Sequence, residues 1–377
     1  MAWPTVIINI LNMMRGPIPG VEFHFLFVGY GNVPEGAARN LIMVDNTSDL
    51  DKVLAKADAS LLQTVKAAQL NGKQSWTAGV MILKEGDNLK DAAFKANEVS
   101  SFEAILFNMP APDKAFLEEK IALRHELKAK LGREVFVICT TAAIDNTAET
   151  GDTWAEWLPN VVAVQSGVAS EYITVVPQLH KANSTVGIYA GRLANQEVSI
   201  ADSPARVKTG SILGNSELIA DKSGAALDLA TLKTLETNRY AVPMWYPDYP
   251  GQYWTTGRTL DVPGGDFQDI RHIRVAMKAA RKVRIRGIAR IADREFNSTP
   301  GSTEAAKLYF TQDLREMAIV KKIGDYEFPG EIKAPLDEDI TITWISSDEV
   351  EILLAVTPYE CPVKITIGIM LNKRLGE

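Results

Sequence analysis

Apolar runs and helical stretches alternate through the first third of this chain, and that alternation restricts its fold more than any other feature. Residues 21–28, 39–44, 76–83, 103–107 and 134–139 read as strands, rich in Val, Ile, Leu and Phe. Between them a helical pattern opens at Thr47, with Ser48 or Asp49 as the natural cap, and continues through Leu61, Leu62, Val65 and Ala68. A second helix is expected over residues 113–131. Strand and helix in turn imply a mixed or parallel sheet flanked by helices, an α/β fold. Residues 161–164, 172–176 and 186–190 read as further strands of the same layer, and residues 227–237 as a helix, so the α/β domain is expected over residues 21–255.

Beyond it the pattern changes. A turn-rich aromatic segment over residues 240–254 is too interrupted by proline for an interior helix or a central strand. Pro263-Gly-Gly265 then leads into a long helix starting near Asp269. On a projection of about 100° per residue, Ile270, Ile273, Ala276, Met277, Ala280 and Val283 share one arc. Arg271, Arg274, Lys278, Arg281, Lys282 and Arg286 share the other, with no acid three or four residues away. A face that one-sided expects an external anionic partner. The contrast is sharper because the whole chain is acidic, with 40 Lys and Arg against 47 Asp and Glu and a formal charge of -7.

After a helix over residues 303–320, the last third reads as β: residues 340–344, 350–356 and 363–369. Residues 256–358 are therefore expected to form an α+β domain. Two strands lie on tethers at the ends. Residues 5–12, with Val6, Ile8 and Ile10, precede Gly16-Pro-Ile-Pro-Gly20, and Val363, Ile365, Ile367 and Ile369 follow Thr357-Pro358. Strands isolated by such spacers need a sheet edge elsewhere, which makes residues 1–20 and 359–377 candidate exchanged arms between subunits.

Catalytic constellations are weak. Gly29-Tyr-Gly31 follows a strand, but the third glycine comes only at Gly36, with Pro34 and Glu35 where a pyrophosphate needs open amides, so a structural turn is expected. His24, His125, His180 and His272 are scattered without metal spacing, and Cys139 lies in an apolar run far from Cys361, as a buried thiol would. No basic segment precedes the first apolar stretch, so neither a signal peptide nor a membrane span is expected. The aromatics Tyr240, Trp245, Tyr246, Tyr249, Tyr253 and Trp254 fit either a packing seam or a ligand groove. The groove supports a competing reading as an α/β hydrolase or nucleotide-binding enzyme.

Trp254-Thr-Thr-Gly257-Arg258-Thr259-Leu260, an acidic loop, then Ile270-Arg-His-Ile-Arg274 at the head of a long helix resembles the signature of contractile tail sheath proteins of phages, R-type pyocins and related injection machines. Here the segment carries one extra residue, and Gly257 where alanine is usual. Gly187-Ile-Tyr-Ala-Gly-Arg192 followed by Ser203-Pro-Ala205 is similar to a further segment of that family. The resemblance implies a structural subunit, not an enzyme. Such subunits form six-fold rings stacked helically around a tail tube, and contract to drive the tube through a target envelope. It implies a virion tail component assembled in the host cytoplasm, with tube, baseplate and terminator proteins as partners. No cofactor, metal, direct nucleic-acid contact or membrane is expected. Residues 256–358 would face the tube, with Arg271, Arg274, Lys278, Arg281 and Lys282 as its contacts, and residues 21–255 would lie outside.

Overall fold

The computed structural model describes residues 20–33, 40–182, 184–214, 216–324 and 326–368. Strands β1 (Phe25–Tyr30) and β2 (Ile42–Asp45) are followed by helices α1 (Leu50–Val53) and α2 (Ala59–Gly72), strand β3 (Thr77–Leu83) and helix α3 (Leu89–Val99). Then come β4 (Ala104–Pro110), α4 (Lys114–Leu131), β5 (Phe136–Thr141), α5 (Trp154–Val164), β6 (Ile173–Pro177), α6 (Thr185–Leu193) and α7 (Leu229–Thr237). The hairpin β7 (Pro243–Tyr246) and β8 (Tyr249–Trp254) precedes α8 (Ile270–Ala289) and α9 (Pro300–Met317). Two short hairpins end the described chain, β9 (Lys321–Ile323) with β10 (Tyr326–Phe328), and β11 (Ile340–Trp344) with β12 (Val350–Leu354).

The expected mixed sheet is present, in the order β2-β3-β1-β4-β5-β6. Only β2 runs antiparallel, against β3. Because successive side chains of a strand point to opposite faces, β1 sends Phe25 and Phe27 to one side and Leu26 and Val28 to the other, and both sides are buried. Helices α3, α4, α5 and α7 cover the Leu26 face, while α1, α2, α6 and the start of α8 cover the Phe25 face. Caps follow local chemistry: the Asp113 carboxylate accepts the Phe116 amide at the head of α4, and Gly132 closes that helix in the left-handed region at φ 63.

Two segments expected as strands are helices. Residues 161–164 form the last turn of α5, whose start is fixed by a capping box between Thr153 and Glu156. Residues 186–190 lie inside α6, which is buried from end to end. Their β-branched and aromatic composition favours a strand, but Gly187 and Gly191 stand one helical turn apart and meet the backbone of α2. A Cβ on Gly187 would lie 2.1 Å from the Thr64 carbonyl oxygen, and one on Gly191 2.4 Å from that of Ala68. Packing this close overrides propensity. Alanine inside a helix is favoured over glycine by about 1 kcal/mol, yet overpacking costs about 1–3 kcal/mol, and here the obstacle is backbone. Gly187→Ala is therefore expected to lower the urea midpoint.

A third expected strand is also missing: residues 363–368 run without regular structure, and Val363, Ile365 and Ile367 are 62%, 73% and 78% exposed. Residues 5–12 and Ile369 lie outside the described residues. A smaller core joins α8 to α9 through Val275, Ala279, Leu314 and Met317, together with Ile200 and Ile332. Another places Ala306 and Phe310 of α9 against Ile340 of β11.

Candidate functional site

Helix α8 stands between these cores. Its start is set by Asp269, whose carboxylate accepts the Arg271 amide as an N-cap. Ile270, Ile273 and Met277 enter the core under the sheet, while Val275 and Ala279 turn towards α9. The apolar contacts therefore span two sides of the helix instead of the single expected arc, and Ala280 is exposed.

The face expected to be unpaired is neutralised by the chain itself. Arg274 and Glu103 form a bidentate pair, Nε to Oε1 at 2.7 Å and Nη2 to Oε2 at 2.8 Å, with their side chains 2% and 0% exposed. Arg281 reaches Glu22 at 2.6 Å and also donates to the Glu134 carbonyl at 3.2 Å. On the opposite flank Lys278 pairs with Glu331 at 2.7 Å, and Lys282 with Glu316 at 3.4 Å and Asp313 at 3.7 Å. Arg271 stays local, 3.1 Å from Asp269. Counting only acids on the same helix misses these partners, which arrive from the residue before β4, from the stretch before β1, from α9 and from Glu331. Arg274, sealed in the interior, offers no surface to any partner. The α8 cations fasten the α/β part to the carboxyl-terminal part.

Electrostatics at this joint carry two kinds of shift. Burial alone would push the Glu22 carboxyl up, but the Arg281 and Lys278 charges outweigh it and hold the group below the usual carboxylate range. Beside it, His24 stacks on Phe102 at 4.9 Å between ring centroids, and burial pushes its imidazole down to about 4 from 6.5. A base depressed in the folded state makes the unfolded chain bind the extra proton first, so stability is retained above pH 6.5 and lost as pH falls towards 4. His24→Gln should flatten that part of a melting-temperature profile against pH.

The segment Trp254 to Leu260 serves the fold. Trp254 is fully buried and stacks on Tyr189 at 5.1 Å. The Leu260 amide donates to the Ile173 carbonyl at 2.8 Å, the Arg258 carbonyl accepts the Thr174 hydroxyl at 2.7 Å, and the Thr259 hydroxyl donates to the Phe267 carbonyl at 2.6 Å. The segment thus closes the outer edge of β6 and delivers the chain to α8. Gly257 is required there: a Cβ would stand 2.3 Å from Ile270 Cγ2 and 2.6 Å from the Tyr189 hydroxyl. Of the other aromatics, Tyr240 and Tyr253 are buried, Trp245 packs half-buried against the core, and Tyr246 and Tyr249 are exposed.

Two family descriptions match in tandem, "DUF2586, N-terminal domain" over residues 3–258 and "DUF2586, C-terminal domain" over residues 266–374. A protein of Haemophilus phage HP1 (strain HP1c1) named for the tail sheath is 44% identical over 380 residues, spanning all of both chains. The chain belongs to the DUF2586 tail sheath family. Its fold is that of solved sheath subunits. The sheath of an extracellular contractile injection system, PVC, in the contracted state aligns with TM-score 0.64 at 13% identity, covering 99% of this chain and 98% of that one. The contracted helical sheath of the anti-feeding prophage aligns at 0.57, with 13% identity and 99% and 100% coverage. A sheath tail protein of Desulfitobacterium hafniense aligns at 0.51, with 12% identity and 94% and 96% coverage.

In this sheath family member the residues that raised enzymatic readings have structural partners. A Cβ on Gly31 would lie 2.1 Å from the Lys56 carbonyl oxygen, so that turn is packed against the junction of α1 and α2. Buried His180 is held by the Thr185 hydroxyl at 2.8 Å and the Gln252 side chain at 3.2 Å. No group of three or more potential metal ligands occurs among the described residues, and no helix there is long and apolar enough to cross a membrane.

Proposed function

We propose that the chain is the repeating subunit of a contractile tail sheath, a virion structural protein without catalytic activity. Its copies stack as six-fold rings around a tail tube, between a baseplate and a terminator. Contraction drives the tube through the target envelope by rigid-body movement of subunits. The observation that carries the polymer reading is the state of the carboxyl-terminal end. Val363, Ile365 and Ile367 stand exposed on a tether, and β11 and β12 pair only with each other among the described residues. An isolated two-stranded hairpin is marginal in water and has open edges. Strand addition by Val363, Ile365, Ile367 and Ile369 of one copy, and by Val6, Ile8 and Ile10 of another, supplies what both lack.

Tube contact is proposed for the same half of the subunit. Of Arg271, Arg274, Lys278, Arg281 and Lys282, the last keeps the most side-chain exposure, at 34%. An acidic tube would meet Lys282 and the neighbouring exposed Arg284 in competition with Glu316, as a salt-sensitive contact.

Deleting residues 1–14, or those after Tyr359, is expected to leave a folded α/β core that no longer polymerises. Sedimentation and negative-stain microscopy read the outcome. Normal tubes from either truncation would refute strand exchange.

A further inference from the structure

Residues 20–24, which join the amino-terminal arm to the sheet, are fastened at more points than a connector requires. The Glu22 carboxylate takes the bond from Arg281. The Phe23 amide donates to Glu103 Oε2 at 2.6 Å, on the carboxylate that Arg274 also grips, and the Arg274 guanidinium lies 5.3 Å from the Phe23 ring centre. The His24 carbonyl accepts the Glu103 amide at 2.8 Å. Phe23 sits at φ 70, a region that is strained for a residue with a side chain and persists only where its surroundings hold it.

We propose that residues 20–24 are a latch that fixes the root of the arm to α8. Its purpose rests on the sheath reading; its mechanics do not. Strand β1 lies in the middle of the sheet, between β3 and β4. Without the latch, tension on an arm held by a neighbouring copy acts directly on the end of that central strand. With it, tension is taken up by Arg281 and, through Glu103, by Arg274. Both stand on α8, which hands the load to α9 by way of Lys282 and Arg286. The end of β1 then carries less of the load while subunits turn.

The test stretches the full chain between its amino terminus and an introduced thiol at Glu85→Cys, an exposed position between β3 and α3, with the exposed Cys361 replaced by serine. Glu22→Gln keeps the shape and removes the charge. The ion pair becomes a hydrogen bond from the guanidinium to a neutral amide, so the force of the first rupture should fall. Arg281→Met, which removes the donor, should lower it further, with thermal melting of both variants close to that of the parent. Equal rupture forces in parent and variants would overturn the latch. Failure of the sheath reading shows separately, as a parent chain that forms no polymer while the difference in force remains.

Discussion

Arg274→Ala is expected to lose about 3–5 kcal/mol of folding stability, because it strands the Glu103 carboxylate in the interior with no counter-charge. Glu103 is completely buried and, among the described residues, its other side-chain bond is the backbone amide of Phe23. Glu103→Ala should lose a comparable amount by stranding the guanidinium. The double variant Arg274→Met with Glu103→Leu separates charge burial from packing. Replacing a buried pair by apolar groups is often near neutral, but the Phe23 amide would then lack its acceptor, at about 1–3 kcal/mol. The double variant should therefore fall between the parent and either single change in urea unfolding. Additive losses in the double variant would mean that the two charges stabilise the fold independently, against the pairing described.

Trp254→Ala is expected to cost about 3–5 kcal/mol, the range for a large aromatic removed from a packed core. Trp254 has no exposed surface, and its ring lies on Tyr189 of α6 while the residues after it bond to the edge of β6 and lead to α8. Tyr249→Ala, at a side chain 51% exposed on the hairpin tip, should stay within about 0.5 kcal/mol. That contrast, read from thermal or chemical melts, tests the packing-seam reading of residues 240–254. If Trp254→Ala kept full stability and removed binding of a sugar or nucleotide instead, the groove reading would return.

Both changes strike the α8 joint, and that joint marks where sequence reasoning stopped. The central strands, α4, the long basic helix starting near Asp269 and the strands of the β11–β12 hairpin were all readable, since each is a local pattern of period or turn. The apolar content of those strands, placed between helices, determined the mixed sheet. The residues Trp254 to Leu260 also carried the family resemblance. Tertiary structure alone decided how the basic face is paired within the chain. Glu103 is 171 residues from Arg274 and Glu22 is 259 residues from Arg281, so no spacing rule along a helix links them. It also decided that residues 186–190 are helical, because closeness to α2 is a property of two elements and glycine answers it against local preference. Residues 363–368 show the converse: an alternating strand pattern marks what a segment can pair with, but a strand exists only where an edge meets it. Periodicity and caps act within one turn or one strand and so are written in the chain, whereas burial of charge, close backbone approach and edge pairing depend on which distant elements come together.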